Sequence, residues 1–464
     1  MIKQSIGLIG LAVMGQNLAL NMESKGYSLA VFNRTASRTR YFISTRAKRK
    51  NIIGTYSLKE MVGLLEKPRK IMLMVKAGEP VDDNIEALIP LLEKGDIVID
   101  GGNSYFKDTI RRNKYLHHKG INFIGTGVSG GEEGALLGPA MMPGGHREAY
   151  GIVEGIFKKI SAKASDGIPC VSYIGDDGAG HFVKMVHNGI EYGDMQIIGE
   201  CVWLLKEALD YDSERIADII SSWKDPSDIL SSYLIEVTGE VMREKDKESH
   251  KYLVDKTADF TKMKGTGAWT VTSSLELLVP IPTIASAVFS REMSQDKDLR
   301  LEISQNIRPD SFKYEGDPKE LVDIAHDALY IAKISSYAQG FALMDAASRE
   351  YGWKLDKGKI AQGWRAGCII RAKFLARVTE EYGANPGLSN LMLAPIFLKF
   401  INKNLHKLSK FIEVAHRVGV PALAMDCSYD YILQIASPIM VPAQVAAQQR
   451  DYFGAHGYFQ IKRE

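Results

Sequence analysis

The sequence predicts an α/β domain over residues 1–178, a large all-α domain over 179–436 and a C-terminal tail over 437–464. Three observations carry this. Up to Gly175, short apolar runs rich in β-branched residues alternate with longer amphipathic segments, the pattern of strand–helix units around a parallel sheet. From Gly180 to about Ala436 the strand signals nearly vanish and apolar residues recur at helical spacing. After Ser437 two prolines break the pattern, and the chain becomes rich in glutamine and aromatic residues.

Composition narrows the functions open to the chain. Its 464 residues suit two or three domains with sizeable cores. It is 45% hydrophobic and 25% charged, with a net charge of +2. No broad positive field is therefore available for nucleic acid or an anionic membrane surface. No apolar run reaches the roughly 20 residues that span a bilayer. Lys3 ahead of an apolar run imitates a signal peptide, but the glycines that follow read as a strand entering a nucleotide loop. Cys170, Cys201, Cys368 and Cys427 lie far apart without CxxC spacing. They read as reduced thiols of a cytoplasmic protein, neither a disulfide frame nor a metal site.

Residues 4–9 form the first apolar run, and Gly10-Leu11-Ala12-Val13-Met14-Gly15 opens the periodic segment behind it. This is the Rossmann-type dinucleotide fingerprint, with Ala12 in place of the second glycine. Gly10 permits the tight turn, small Ala12 admits a pyrophosphate, and Gly15 packs helix on strand. The diphosphate belongs on the helix N-terminus, where free N–H groups and the helix dipole favour an anion. The second strand, 28–33, ends in Asn33-Arg34-Thr35, where an NAD-binding fold usually places Asp or Glu against the ribose 2′-hydroxyl. A carboxylate would repel a 2′-phosphate, whereas Arg34, with Arg38 one turn on, grips it through charge-assisted hydrogen bonds. The expected cofactor is NADP.

Further strands are expected at 71–75, 97–100, 122–126 and 171–175. The turns after the first two contain Val75-Lys76-Ala77-Gly78 and Gly101-Gly102-Asn103-Ser104, and the third runs into Gly127-Val128-Ser129-Gly130-Gly131. Ligands of open α/β sheets bind outside the carboxyl ends of the strands, where these turns fall. Ser129 with the N–H groups of Gly130 and Gly131 is a candidate anion nest.

In the second domain, helices are expected at 180–209, 213–223, 228–244, 270–278, 283–295, 319–350, 357–378 and 390–417, with a non-helical stretch at 262–269. Ile219-x3-Trp223 and Ile360-x3-Trp364 hint at an internal duplication. The opening helix is the central one. Lys184, His187, Asn188 and Glu191 fall at i, i+3, i+4 and i+7 on one face. Phe182, Val183, Val186, Ile190 and Ile197 take the opposite face, where Gly189 and Gly193 admit another backbone. Met195 and Ile198 continue the polar face one turn later, so the helix reads as buried and its polar groups as an island within it. Buried Lys and Glu are costly unless paired or used, and the island is read as catalytic. The tail exposes too much apolar surface to float free, and a second copy of the chain is its simplest partner.

With GLAVMGQN at 10–17, NRT at 33–35, VKAG at 75–78, DGGNS at 100–104, GVSGGEEGA at 127–135, KMVHNGIEYGDMQ at 184–196, KGTG at 264–267 and QRDYFGAH at 449–456, the chain resembles the decarboxylating 6-phosphogluconate dehydrogenases over essentially its whole length. The resemblance implies NADP-dependent oxidative decarboxylation of 6-phospho-D-gluconate to ribulose 5-phosphate, in the oxidative pentose phosphate pathway, by a homodimer that exchanges tails. It implies Lys184 as the base at the C3 hydroxyl and Glu191 as the proton donor to the enediol. It assigns Val75, Lys76, Ala77 and Asn103 to the cofactor, Asn103, His187 and Asn188 to substrate hydroxyls, and Ser129, Gly130 and Gly131 to the carboxylate end. Tyr192, Lys264, Thr266 and Arg291, with Arg450 and His456 from the other subunit, would receive the phosphate. No metal is implied. Met263 and Ala268 depart from the Gln and Lys common in that family beside KGTG. The rival readings are a shorter β-hydroxyacid dehydrogenase without decarboxylation, which lacks the KGTG loop and QRDYFGAH tail, and a non-catalytic NADPH-binding protein, which would have lost Lys184 or Glu191.

Overall fold

The structure, a computed structural model, describes residues 3–263, 265–307 and 310–460. Among the described residues seven strands form one sheet: β1 (Ile6–Ile9), β2 (Leu29–Phe32), β3 (Ile52–Thr55), β4 (Lys70–Leu73), β5 (Ile97–Asp100), β6 (Asn122–Ser129) and β7 (Ala140–Gly145). Their order is β3-β2-β1-β4-β5-β6-β7, parallel except for the last pair. Between them run α1 (Val13–Ser24), α2 (Ala36–Ser44), α3 (Leu58–Leu64), α4 (Glu79–Leu88), α5 (Phe106–His118) and α6 (Gly131–Leu137), and α7 (Arg147–Ile160) follows β7. The parallel strands read as apolar runs because helices cover both faces. One core gathers Ile6, Leu8 and Leu18, and the other gathers Ile9, Ile71 and Leu73.

The remainder is helical: α8 (Ala179–Leu209), α9 (Ser213–Ser222), α10 (Tyr233–Arg243), α11 (Leu253–Lys256), α12 (Thr266–Glu276), α13 (Pro282–Gln295) and α14 (Lys297–Asn306). Then come α15 (Pro318–Glu350), α16 (Lys357–Gly363), α17 (Phe374–Ala384), α18 (Pro395–Arg417), α19 (Leu423–Ile435) and α20 (Val441–Gly454). Two long helices, α8 with 31 residues and α15 with 33, form the spine. Gly189 and Gly193 face Thr270 and Ser336, and a Cβ at either would come within 2.7 Å or 2.6 Å of those side chains. The helical core also takes in Phe106, Ala140, Met142 and Ile174 from the α/β part.

Several expectations are corrected. Residues 171–175 are not a strand; they touch the edge of β7 through isolated bridges at Val171 and Gly175. Pro143 in the middle of β7 has no N–H to extend a ladder. The segment 357–378 splits into α16 and α17, because the chain leaves the helix after Trp364 to bring Gly367, at φ +68°, against β7, where its carbonyl accepts the Ala140 N–H at 2.7 Å. The helix expected at 228–244 starts at Tyr233 behind a Ser232 cap. The one expected at 390–417 starts at Pro395 after a short 3-10 turn at Leu391–Leu393. The stretch 262–269 is not wholly irregular, since α12 begins at Thr266 after Gly265 at φ +96°. The expected elements do not include β3, β7, α11, α14, α19 and α20, nor bounds for any helix of the first domain beyond α1. Trp223 and Trp364 both sit buried just past short helices, and the loops that follow meet at a Ser232–Ala372 bridge.

Candidate active site

Strand order reverses between β1 and β4, and a cleft of about 580 Å³ opens at their carboxyl ends. It brings together Gly10, Ala12, Asn33, Arg34, Thr35, Val75 and Lys76. A Cβ on Gly10 would stand 2.4 Å from the Met74 carbonyl, and one on Gly15 1.9 Å from the Gly10 carbonyl, so this turn closes only with glycine at both places. Leu11 is buried and donates its N–H to Asn33 Oδ1 at 2.9 Å, tying the turn to the end of β2. The helix behind it starts at Val13 and Met14 with no side-chain cap and no acidic residue in its first turn. Its leading N–H groups remain available to an anion. Arg34 and Arg38 are exposed and make no side-chain hydrogen bond or ion pair among the described residues. Uncapped helix, glycine cradle and two unengaged guanidinium groups fit a dinucleotide carrying an extra phosphate. Ala77 and Asn103 stand outside the lining of this cleft.

Helix α8 lies directly on β6. Gly125, Gly127 and Ser129 share one strand face. A Cβ on Gly125 would meet His181 at 2.8 Å, and one on Gly127 would meet Lys184 Cβ at 2.4 Å. The Lys184 stem therefore crosses bare backbone, and Ser129 follows on the same side. Lys184, His187 and Asn188 are buried and Glu191 is half-buried. Asn188 Oδ1 accepts from Lys184 Nζ in a short contact and from His187 Nδ1 at 3.3 Å. Because that oxygen only accepts, His187 carries its proton on Nδ1, and its buried Nε2 is left as an acceptor without a partner. Ser129 Oγ is also buried and unpartnered. These two atoms point to a polar ligand.

Burial dominates the electrostatics. It lowers the Lys184 pKa below the usual lysine value, against the opposing pull of Glu191. It raises Glu191 above the usual carboxylate value against the pull of Lys184 and Arg291. It holds His187 well below its ordinary value, with Lys184 adding to the effect. Desolvation disfavours whichever form is charged, so this one helix face carries an amine disposed to be neutral and a carboxyl disposed to hold its proton. Paired groups displaced in opposite directions are the signature of acid–base chemistry.

Residues 5–175 match the family model described as the NAD binding domain of 6-phosphogluconate dehydrogenase, and 180–464 match that described as the 6-phosphogluconate dehydrogenase C-terminal domain. The chain belongs to the 6-phosphogluconate dehydrogenase family. It is 50% identical over 459 residues to the decarboxylating 6-phosphogluconate dehydrogenase of Lactococcus lactis subsp. lactis, covering 99% of this chain and 96% of that one. It is 50% identical over 465 residues to the NADP(+)-dependent, decarboxylating enzyme of Bacillus subtilis, covering 100% and 98%. Among solved structures, the Plasmodium falciparum 6-phosphogluconate dehydrogenase, described with NADP+ and with 6-phosphogluconate, superposes with a TM-score of 0.95 at 41% identity, over 99% of this chain and 98% of that one.

Against this 6-phosphogluconate dehydrogenase fold, the remaining predicted residues divide into two groups. Tyr192, Thr266 and Arg291 come together: the Arg291 guanidinium lies 3.5 Å from the Tyr192 ring centre, and a Cβ on Gly267 would stand 2.9 Å from that ring. Met263 packs beside Tyr192, Ala287 and Val288. Gly130 and Gly131 follow β6 at φ +112° and +62°, and the Gly367 carbonyl would stand 2.4 Å from a Cβ on Gly130. Lys264 lies outside the described residues. Arg450 and His456 are exposed on the tail, none of whose helical residues is buried. Among the described residues no cluster of three or more His, Cys, Asp or Glu is placed to hold a metal.

Three features escaped the sequence reading. Asp194, one turn after Glu191, continues the polar face and is buried against Lys333 Nζ, with Tyr337 Oη at 3.3 Å from the same carboxylate. The reading instead extended that face through Met195 and Ile198, but Met195 is 44% exposed. The second feature is the glycine pair in β6, which a Gly-x-Gly inside a strand run signals as close backbone approach. The third is the loop after α16, where buried Cys368 is raised to about 12 by desolvation and feels the Lys184 charge. Nothing in local spacing links that loop to β6.

Proposed function

We propose that this chain converts 6-phospho-D-gluconate to D-ribulose 5-phosphate and CO2 while reducing NADP+ to NADPH. The carrying observation is the pairing of Lys184 and Glu191 two turns apart on a buried helix face, their pKa values displaced in opposite directions by burial. Membership of a family whose relatives bear that activity in their names supports the same reading.

NADP+, when bound between β1 and β4, supplies the hydride acceptor for C3. Neutral Lys184 takes the proton of the C3 hydroxyl as that carbon is oxidised. The product is a 3-keto acid whose carboxylate lies β to the ketone, and loss of CO2 needs a proton at the ketone oxygen. The ammonium of Lys184 returns the one it holds. Glu191, protonated, delivers a proton to the enediol carbon that carried the carboxylate, while Lys184, neutral again, takes back the proton on the C3 oxygen as the ketone of ribulose 5-phosphate forms. His187 Nε2 accepts from a substrate hydroxyl, Asn103 and Asn188 hold others, and Ser129, Gly130 and Gly131 receive the carboxylate. Tyr192, Lys264, Thr266 and Arg291 take the phosphate.

Arg450 and His456 complete that phosphate site from a second copy in a homodimer with exchanged tails. The tail supports this, since Tyr452 is 95% and Phe453 72% exposed in the single chain. No helix among the described residues is long and apolar enough to cross a membrane, and four unpaired cysteines suit a cytoplasmic protein. The deciding experiment follows NADPH absorbance with 6-phosphogluconate and NADP+ in EDTA, with CO2 assayed in parallel. Equimolar NADPH and CO2 are expected; NADPH without CO2 would reduce the reading to a plain hydroxyacid dehydrogenase.

A further inference from the structure

We infer that the ring contact between Tyr105 and Trp269 sets the spacing between the hydroxyl-binding and phosphate-binding halves of the substrate site, making both positioning residues. This rests on the roles proposed above for Asn103 and Thr266. The two rings belong to different parts of the molecule, with centres 5.0 Å apart and planes inclined at 39°.

On one side, the loop carrying Asn103 is held by hydrogen bonds to Asp100. Buried Asp100 accepts the Gly102 N–H at 3.0 Å and the Ser104 hydroxyl at 2.6 Å, and Arg112 stands 3.6 Å from it. Tyr105 follows directly and precedes the first residue of α5. Its neighbour Phe106 is fully buried, edge-on to Phe182 of α8 at 5.0 Å. The chain on both sides of Asn103 is thus tied to the end of β5 and to the start of α5.

On the other side, Trp269 stands one turn into α12, whose first residue is Thr266. Its backbone N–H donates to the Gly265 carbonyl at 3.0 Å, and a Cβ on Gly265 would lie 3.7 Å from the indole. The indole therefore stands beside the turn that presents Thr266, packs on the helical core and meets the Tyr105 ring. Thr270, one residue on, donates to the Met185 carbonyl of α8 at 3.0 Å, next to Lys184. The ring pair closes a loop through α5, α8 and α12 that surrounds the proposed substrate position. A phosphate gripped far from the reacting carbon assists the reaction only if the two ends are held at the right separation. A second link between the same helices, Lys107 to Glu276 at 2.8 Å, has both side chains 42% exposed and so contributes little.

The test is steady-state kinetics of Trp269→Ala and Tyr105→Leu, with inorganic phosphate as a competitive probe of the phosphate half alone. Each variant should lose about tenfold in kcat/KM for 6-phosphogluconate. The KM for NADP+ and the inhibition constant for phosphate should stay within about twofold, because each half remains intact. Lys107→Met should change none of these by more than about twofold. An unchanged kcat/KM for 6-phosphogluconate overturns the inference. So does a parallel rise in the phosphate constant, which would mean that the phosphate turn itself had collapsed. So does a rise in the NADP+ KM with a lowered melting temperature, which would mean general loosening. Should Trp269→Ala not fold, Trp269→Phe, with a shorter ring, should show a smaller loss of the same kind, and no loss there or in Tyr105→Leu overturns it. A wild-type chain silent with 6-phosphogluconate would overturn the proposed function and this inference together, whereas an active wild type with unaffected variants overturns the inference alone.

Discussion

At the scale of single residues, burial sets the chemistry. Lys184 must be neutral to accept a proton, and its folded pKa lies below the ordinary lysine value. The kcat/KM profile should therefore rise with pH and level off below the ordinary lysine range, and a profile flat with pH would count against Lys184 as the base. Lys184→Ala should abolish NADPH formation while NADP+ still binds by calorimetry. Glu191→Ala should slow enediol protonation more than hydride transfer, separable by single-turnover kinetics with substrate deuterated at C3. Gly127→Ala tests the strand that carries the lysine: the new methyl would stand 2.4 Å from Lys184 Cβ. Overpacking of this kind costs about 1–3 kcal/mol. The expected outcome is a loss of kcat of about a hundredfold with the affinity for NADP+ retained.

At the scale of elements, α8 organises its neighbours as well as carrying the catalytic face. Helix α19 has no side-chain cap of its own. Glu200 of α8 supplies one, accepting the Ala424 and Met425 N–H groups at 2.9 Å each. Burial pushes the Glu200 carboxyl up to about 7, outweighing those two hydrogen bonds. The raised folded value means that the folded state holds a proton that the unfolded chain releases near 4.5. Its contribution is present in full below that unfolded value and is lost as pH rises through about 7, amounting to about 3 kcal/mol. Denaturation midpoints should fall over this window in the wild type and fall less in Glu200→Ala. That substitution should also cost about 1–3 kcal/mol by leaving two helix N–H groups without an acceptor.

At the scale of the whole molecule, the tail packs little of its surface against the rest of the chain. Helix α20 buries none of its residues, and Tyr452, Phe453 and Phe459 stand open to solvent. A chain ending at Ala436 should therefore keep its melting temperature for the nucleotide domain and still bind NADP+. It should sediment as a monomer and lose turnover of 6-phosphogluconate. A truncated chain that still sedimented as a dimer with full activity would remove the tail from both assembly and site.

The sequence by itself determined the parts that depend on local pattern. The turn Gly10–Gly15 could be read because its backbone needs small residues at set spacings. The face Lys184–His187–Asn188–Glu191 could be read because an α-helix repeats every 3.6 residues. The extra-phosphate preference followed from Arg34 standing where a carboxylate otherwise would. Only the tertiary structure decided the rest, because it joins residues far apart in the chain. Asp194 became part of the polar face once Lys333 reached it from α15. Residues 364–373 left their helix so that the Gly367 carbonyl could meet the Ala140 N–H of β7. β7, with its proline and two glycines, is a strand because it pairs with β6, not because its residues prefer to be one. And Tyr105 met Trp269 only because the buried Phe106 carried the start of α5 into the helical domain.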